Sequence, residues 1–523
     1  MTLKKRLITI LVIALCVGGV YGVGKLGITI RPSDETEVED DTLFGHRETL
    51  YLWYTDEALT DYLNSVAVSY NEYQSVARVI PVYTSGREYL ETVNQASLQT
   101  DETPDMYIVS NDSLEKAYLA GLASEVRMPE GVLSMENMYP KTAVNAVTYH
   151  DKQIGYPFYF ETSCFLYNET YLMDWARAQI EAEMDLAMAE EALQQLEIDG
   201  VPDENDTNAD ADYEQESAIS EETVIERVEQ TLPSTIDDIL AFADVYDAPE
   251  QVEAVFKWDV SDIFYNYFFI GASIDVGGVN GDLSNSIHIY NEDAIRCLRV
   301  YQDLNQFFSI DTKEISYDAV LQDFMDGKIV YTVATTDVLS KIEAAKAEGN
   351  FAYDYGISMM PDVSEELSSA SLSVTQCVVV NGYSMKKDMA NDFAVYLTQY
   401  ATDTLYARTG KLPVHDSKDT YTDPNKNAFL QEYMCSVPMP KMIETSNFWV
   451  ELEIAFAKIW DGEDANHDLK VLSEKIMGQV TGEEYLEEYI DIPEEVPEEE
   501  EYTDEEITDE DSDGSEAGTE TSE

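Results

Sequence analysis

Between residues 48 and 120 the apolar positions switch repeatedly between two periods. "TLYLWYTD" is a continuous apolar run of strand length, and "EALTDYLNSVAVSYNEY" after it repeats its apolar residues at helical spacing. "VARVIPVYTSGREYLETVNQASLQTDETPDMYIVSNDSLEKAYLAGL" continues as strand, helix, strand, helix. Strands alternating with helices at this spacing predict a parallel sheet with helices on its faces. Ligands of such sheets sit at the carboxyl ends of strands, in the loops before the helices. Here those ends read "WYTD", "YTSGRE" and "VSNDS", so Trp53, Tyr54, Ser85 and Asn111 are candidate ligand contacts. Thr335 and Thr336, at the end of the strand following Gly327, join them. None of these loops is a phosphate-cradling glycine motif.

The pattern changes at "IGYPFYFETSCFLYNETYL", residues 154–172. An aromatic run opened by a proline reads as a strand. Strand alternation puts Phe158, Phe160 and Thr162 on one face and Tyr159, Glu161 and Ser163 on the other. Glu161 is the one charge in the run and the candidate polar contact; the aromatics around it are assigned mostly to the core. An Ala- and Glu-rich helical pattern follows, breaks at "DGVPDENDTNADADYEQES" and resumes at "EETVIERVEQ", predicting a helical projection over 173–231 with an acidic tip. The tip is not a calcium loop. Counting from Asp206, Ala211 stands where glycine is needed and Ser217 where a bidentate glutamate is needed. Further on, "LPSTIDDILAFADVYD" opens a helix, "DIFYNYFFIGA" is densely aromatic, and "NFWVELEIAFAKIWDGEDANHDLKVLSEKI" supplies two closing helices, the second capped by Asp464 or Asn466.

The chain of 523 residues carries a formal charge of −73. That excludes nucleic acid as a partner and a basic surface that clings to anionic lipid. From Glu483 onward, 21 acidic residues occur with no Lys or Arg, a composition predicting disorder. At the other end, Lys4, Lys5 and Arg6 precede 17 uncharged residues, "LITILVIALCVGGVYGV", and an acidic stretch follows. This charge order places the N-terminus inside and the bulk of the chain outside a membrane. Three outcomes compete: an uncleaved anchor, which is favoured, cleavage near Gly22, and lipidation at Cys16. The membrane is reached through this segment alone. The five cysteines are far apart with no CxxC and read as buried free thiols rather than a disulfide framework.

The five histidines form no zinc spacing and there is no GxSxG elbow. Carboxylate pairs are too abundant to carry information. No catalytic group, metal site or cofactor is assigned.

The order of segments resembles the extracellular solute-binding proteins of ABC importers, in the maltose-binding-protein-like family. The stretches that carry it are "PDMYIVSNDSLEKAYLAGLASEV", "GYPFYFETSCFLYNETYL", "LQDFMDGKIVYTVATTDVL", "YGISMMPD", "DFAVYLTQYATDTLYARTGKLPV" and "MPKMIETSNFWVELEIAFAKIWDGEDANHDLKVLSEKI", across roughly 48–480. The resemblance implies an α/β fold of two hinged lobes that closes on a solute. It implies an N-terminal lobe of 48–157 and 334–378 and a C-terminal lobe of 158–333 and 379–480, the latter carrying the 173–231 insertion. Flanking these are a signal sequence or anchor (1–28), an acidic linker (29–47) and a disordered tail (481–523). Carried over by position, Glu161 falls on a sugar-contacting glutamate and Trp449 on a ring-stacking tryptophan. Phe264, Tyr265 and Tyr267 fall on further stacking aromatics. Many relatives have Gly-Pro-Trp where this chain has "TTD", which removes one stacking platform. The implied function is capture of a carbohydrate, an oligosaccharide in particular, by a monomeric extracytoplasmic protein that hands it to an ABC permease. The alternatives are a sensing or adhesive receptor on the same fold, and a secreted glycan hydrolase.

Overall fold

The computed structural model describes residues 47–99, 103–199, 219–308, 310–415 and 420–492. The expected anchor at 1–28, nearly all of the acidic linker, the projection's tip at 200–218 and the tail beyond 492 lie outside the described residues.

One ten-stranded sheet organises the molecule. Its strands are β1 (Glu48–Tyr54), β2 (Ala77–Tyr83), β3 (Met106–Ser110), β4 (Tyr156–Asn168), β5 (Ala254–Phe256), β6 (Ile329–Thr335), β7 (Tyr355–Ser358), β8 (Leu372–Val380), β9 (Leu412–Pro413) and β10 (Val437–Pro438). They run in the order β2-β1-β3-β8-β4-β6-β5, with β7 and β9 on β4 and β10 on β8. β1 pairs in parallel with β2 and β3, as the alternating pattern predicts. β8 is antiparallel to both β3 and β4.

β4 is the keystone. Residues 156–162 pair with β8, and residues 163–167 pair with β6. Two apolar cores meet along it. Phe158, Phe160 and Cys164 pack in the first core, with Leu50, Leu52, Val378 and Phe393. Phe165 packs in the second, with Trp258, Tyr301, Phe456 and Trp460. A strand buried on both faces loses the simple polar alternation of a half-exposed one, which is why only Glu161 and Tyr167 of its thirteen residues are not fully buried.

The two cores divide the chain differently from the expected lobe boundaries. Val379, Val380, Phe393, Leu397, Phe429 and Tyr433 belong to the first core, not to the second with the rest of 379–480. Met360, Val363, Leu367 and Leu372 belong to the second core, not to the first with the rest of 334–378. The reason lies in β8. Its Val378–Val380 end pairs with β3 and carries the following helices into the first body.

The projection is a 31-residue helix, Glu169–Asp199, running straight on from β4, and the shorter helix Glu221–Thr231 beside it. Arg227 and Glu183 join the two through a bidentate pair at 2.8 and 2.9 Å. The helix Ala465–Thr481 is capped by Asp464, which accepts from Asn466 N and His467 N.

Two expectations are corrected. Residues 483–492, acidic enough to predict disorder, lie against the second core. Ile490 N donates to Tyr290 Oη at 3.0 Å, Asn466 Nδ2 donates to Ile490 O, and Ile490 and Ile492 pack on the apolar cluster. Two isoleucines and satisfied backbone groups outweigh the charge there. Cys435, read as buried, is exposed, whereas Cys164, Cys297 and Cys377 are buried and all four are free thiols.

Candidate ligand site beside the long central strand

Glu161 sits halfway along β4 and is the point where the strand turns a polar group outward. Its neighbours Phe160 and Thr162 face the other way: Phe160 stacks on Tyr433 at 4.2 Å, and Thr162 donates to Leu372 O at 2.9 Å. Glu161 faces a cavity of about 510 Å³. From the second body Phe264, Tyr265 and Trp449 line it; from the end of β6 come Thr335, Thr336 and Asp337; Leu372, Met439, Asp262, Ile263 and Lys411 complete it.

Local sequence explains each placement. Asp262 caps the short helix Ile263–Asn266 by accepting from Phe264 N at 2.8 Å, which sets the two aromatics at the cavity. Trp449 stands in the first turn of the helix Phe448–Trp460, its ring 5.7 Å from that of Tyr267 and 5.0 Å from that of Phe448. Lys411 follows the left-handed Gly410, which ends the preceding helix. Its Nζ lies 3.2 Å from Asp56 and 3.3 Å from Glu161, and 5.5 Å from the centre of the Tyr159 ring. Burial pulls the Lys411 pKa down, but Glu161 and Asp56 outweigh it and hold the ammonium above its ordinary value.

Asp337 is the hub of the opposite wall. One oxygen accepts from Thr335 Oγ1 at 2.6 Å and from Tyr317 Oη at 3.0 Å; the other is 2.8 Å from Lys341 Nζ. Tyr317 stacks on Tyr265 with ring centres 4.8 Å apart. Burial, then the Asp337 charge, push the Tyr317 hydroxyl pKa well up, so it remains a donor.

Six of the eleven sequence-derived candidates therefore meet at one cavity: Glu161, Phe264, Tyr265, Thr335, Thr336 and Trp449. Five do not. Tyr267 is buried behind Trp449. Tyr54 is buried, its hydroxyl on Thr60, and Trp53 packs against the first core. Asn111 is fully buried and acts as a tie, donating to Met439 O at 2.6 Å and accepting from Thr375 N at 2.9 Å. Ser85 is exposed, next to a second cavity of about 550 Å³ whose wall includes Thr55, Gly86, Glu88, Ser110, Lys116 and Gln376. For Trp53, Tyr54 and Asn111 the difference lies in what packs over them, because pointing at a strand's carboxyl end does not say which side chain faces out.

Asp262, Asp337 and Lys411 are the polar groups that sequence reasoning missed. Asp337 was visible as the final residue of "TTD", and Asp262 as an N-cap before an aromatic helix. Lys411 carries no local signal; only the packing of β9 on β4 brings it to Glu161.

A mixed α/β chain with two cores and a polar, aromatic-walled cavity between them is a two-lobed binding protein. The sequence profile of bacterial extracellular solute-binding proteins matches residues 78–428, and the chain belongs to that family, which places it outside the cytoplasm. Among solved structures, a maltose-binding periplasmic protein from Listeria monocytogenes in complex with maltose is similar at 20% identity and a TM-score of 0.62, over 84% of this chain and 100% of that one. A cyclo/maltodextrin-binding protein complexed with maltotetraose is similar at 17% identity and 0.62, over 83% and 97%. An extracellular solute-binding protein from Staphylococcus aureus in complex with maltose is similar at 17% and 0.61, over 84% and 98%. At such identities the likeness establishes the fold. No match was found among curated protein sequences. No described helix is long and apolar enough to cross a membrane; the segment on which the anchor expectation rests is outside the described residues.

Proposed function

We propose that this protein captures a carbohydrate, an oligosaccharide of a few sugar rings, in the cavity beside Glu161 and delivers it to an ABC permease. The observation that carries this reading is the mixed lining. Trp449, Phe264 and Tyr265 bring aromatic rings to the same cavity as Glu161, Lys411, Thr335 and Asp337, which bring charged and hydroxyl groups. Sugar rings present C–H faces that pack on aromatics and hydroxyls that need paired donors and acceptors. Glu161 and Asp337 accept, Lys411 donates, and the threonine hydroxyls do either. The similar structures that hold maltose and maltotetraose support the class of ligand. The N-terminal segment would tether the protein at the cell surface, and it would act as a monomer.

The test is thermal melting of the intact chain against mono- and oligosaccharides, amino acids and peptides. A ligand that binds only the folded chain raises the melting temperature in proportion to the logarithm of its concentration. A saturable rise with oligosaccharides is expected. A rise with amino acids or peptides alone overturns the reading.

A further inference from the structure

We infer that the solute is a cationic carbohydrate, a sugar whose rings carry protonated amines, and that Asp262 and Asp337 set this preference. The inference rests on the carbohydrate reading above and adds the charge of the ligand to it.

The cavity's charge balance is the starting point. Lys411 is shared between Asp56 and Glu161. Lys341 is shared between Asp337 and Asp318, at 2.8 and 2.9 Å. Asp262 has no cation within ion-pair distance among the described residues, and one of its oxygens is already spent on Phe264 N. The cavity lining thus carries three carboxylates, Glu161, Asp262 and Asp337, against one ammonium, Lys411. The same negative charge is felt nearby: burial, then the charges of Asp262 and Asp259, push the Glu453 pKa up.

Lys411 and Lys341 are each already engaged by two carboxylates, so neither is free to receive an acidic sugar. A uronic acid or sulfated sugar would enter beside Asp262 and Asp337 with no unengaged cation lining the cavity among the described residues. A neutral sugar would leave the excess charge partly desolvated and unbalanced, which is costly. An amine on the ring supplies the missing positive charge. It would also lie near Trp449, Phe264 and Tyr265, whose faces attract cations as well as C–H groups. The same aromatics that suit a sugar ring therefore suit an aminated one better.

This is not the whole-chain charge at work. Asp262 is held by its helix cap, and Asp337 by Thr335, Tyr317 and Lys341. Asp262 is exposed at the edge of the cavity and Asp337 half-exposed, but both are held in place, and fixed charges give selectivity where a diffuse field gives only attraction.

The experiment is titration calorimetry of the intact chain with a glucosamine tetramer, its fully N-acetylated counterpart, maltotetraose and spermidine, at low and at high salt. The expected result is one glucosamine tetramer per chain, bound at least tenfold more tightly than maltotetraose, with the advantage shrinking as salt rises. Asp262→Asn and Asp337→Asn should each reduce the ratio of the two affinities severalfold, and Trp449→Ala should weaken the single-site binding about thirtyfold. Maltotetraose or the acetylated tetramer binding as tightly as the amine overturns the charge inference and leaves the carbohydrate reading standing. Several tetramers adsorbing per chain, unaffected by Trp449→Ala, also overturns it. A response to spermidine with none to any sugar overturns both.

Discussion

Lys411 joins two residues that are 105 positions apart in the chain: its Nζ is 3.2 Å from Asp56, just past the end of β1, and 3.3 Å from Glu161, in the middle of β4. The contact ties the first body to the central strand at the mouth of the ligand cavity. Lys411→Met removes the charge and keeps most of the volume. It should lower stability by about 1 kcal/mol, because the pair is only partly buried, and should weaken solute binding. The sign with pH follows from the raised lysine pKa. The ion's contribution is fully present below the ordinary value of 10.5 and is lost as pH rises through the folded value. Melting temperatures of the wild type and the variant should therefore converge at strongly alkaline pH.

Trp449→Ala tests the aromatic wall. The side chain is partly buried, resting on Tyr267 and Phe448. Truncating an aromatic anchor of this kind costs roughly 2 kcal/mol of binding, about thirtyfold in Kd. Calorimetry on the variant should show that loss while its circular-dichroism spectrum stays that of the wild type. An unchanged Kd would place the ligand elsewhere.

The turn at Gly281 is where the second body meets the segment that crosses back to it. Gly281 has φ +64, and a Cβ there would lie 2.6 Å from Pro440 Cα. Gly281→Ala should cost at least about 2 kcal/mol, combining left-handed strain with a backbone clash. Gly462→Ala is the control, since its φ is +101 but nothing lies within 4 Å of the added carbon. Chemical denaturation should show the larger loss at Gly281.

Lys441 is almost entirely buried. Its Nζ donates to Asn145 O at 3.0 Å and to Asn280 O, and so bridges the two bodies. Burial pulls its pKa down to about 8, with Asp282, Cys377 and Glu115 opposing. A lysine whose folded pKa is depressed destabilises the fold fully below that value. The penalty is relieved as pH rises from about 8 towards 10.5, because the unfolded chain then holds more protons. Removing the side chain with Lys441→Met removes this slope. The stability difference between wild type and variant, measured by denaturation from pH 7 to 10.5, should shift in favour of the wild type as pH rises. A constant difference would show that the ammonium keeps its ordinary pKa.

Much of the fold was legible because periodicity is local. The strand–helix alternation of 48–120, the strand at 156–168, the long helix after it and the Asp464 cap each follow from spacing between near neighbours in the chain. The candidate site was legible in part for the same reason. Glu161, the one charge in an aromatic strand, and Trp449, at the start of an amphipathic helix, both reached the cavity. Asn111 and Tyr54 did not, although their loops are where a parallel sheet binds ligands. A strand end specifies a region, whereas burial of an individual side chain depends on what packs over it, here Met439 and Thr375 above Asn111.

By itself, the sequence determined the order and type of the elements, the family, and the acidic, extracytoplasmic character of the chain. All of these depend on short-range spacing and composition. Only the tertiary structure decided which body each segment joins, that residues 483–492 dock rather than trail free, and that Lys411, Asp262 and Asp337 share one cavity with Glu161. Those outcomes depend on contacts between residues up to hundreds of positions apart. The meeting of Lys411 with Glu161 follows from how β9 registers on β4, and the division of the chain between the cores from how β8 does, long-range choices that no local window of sequence encodes.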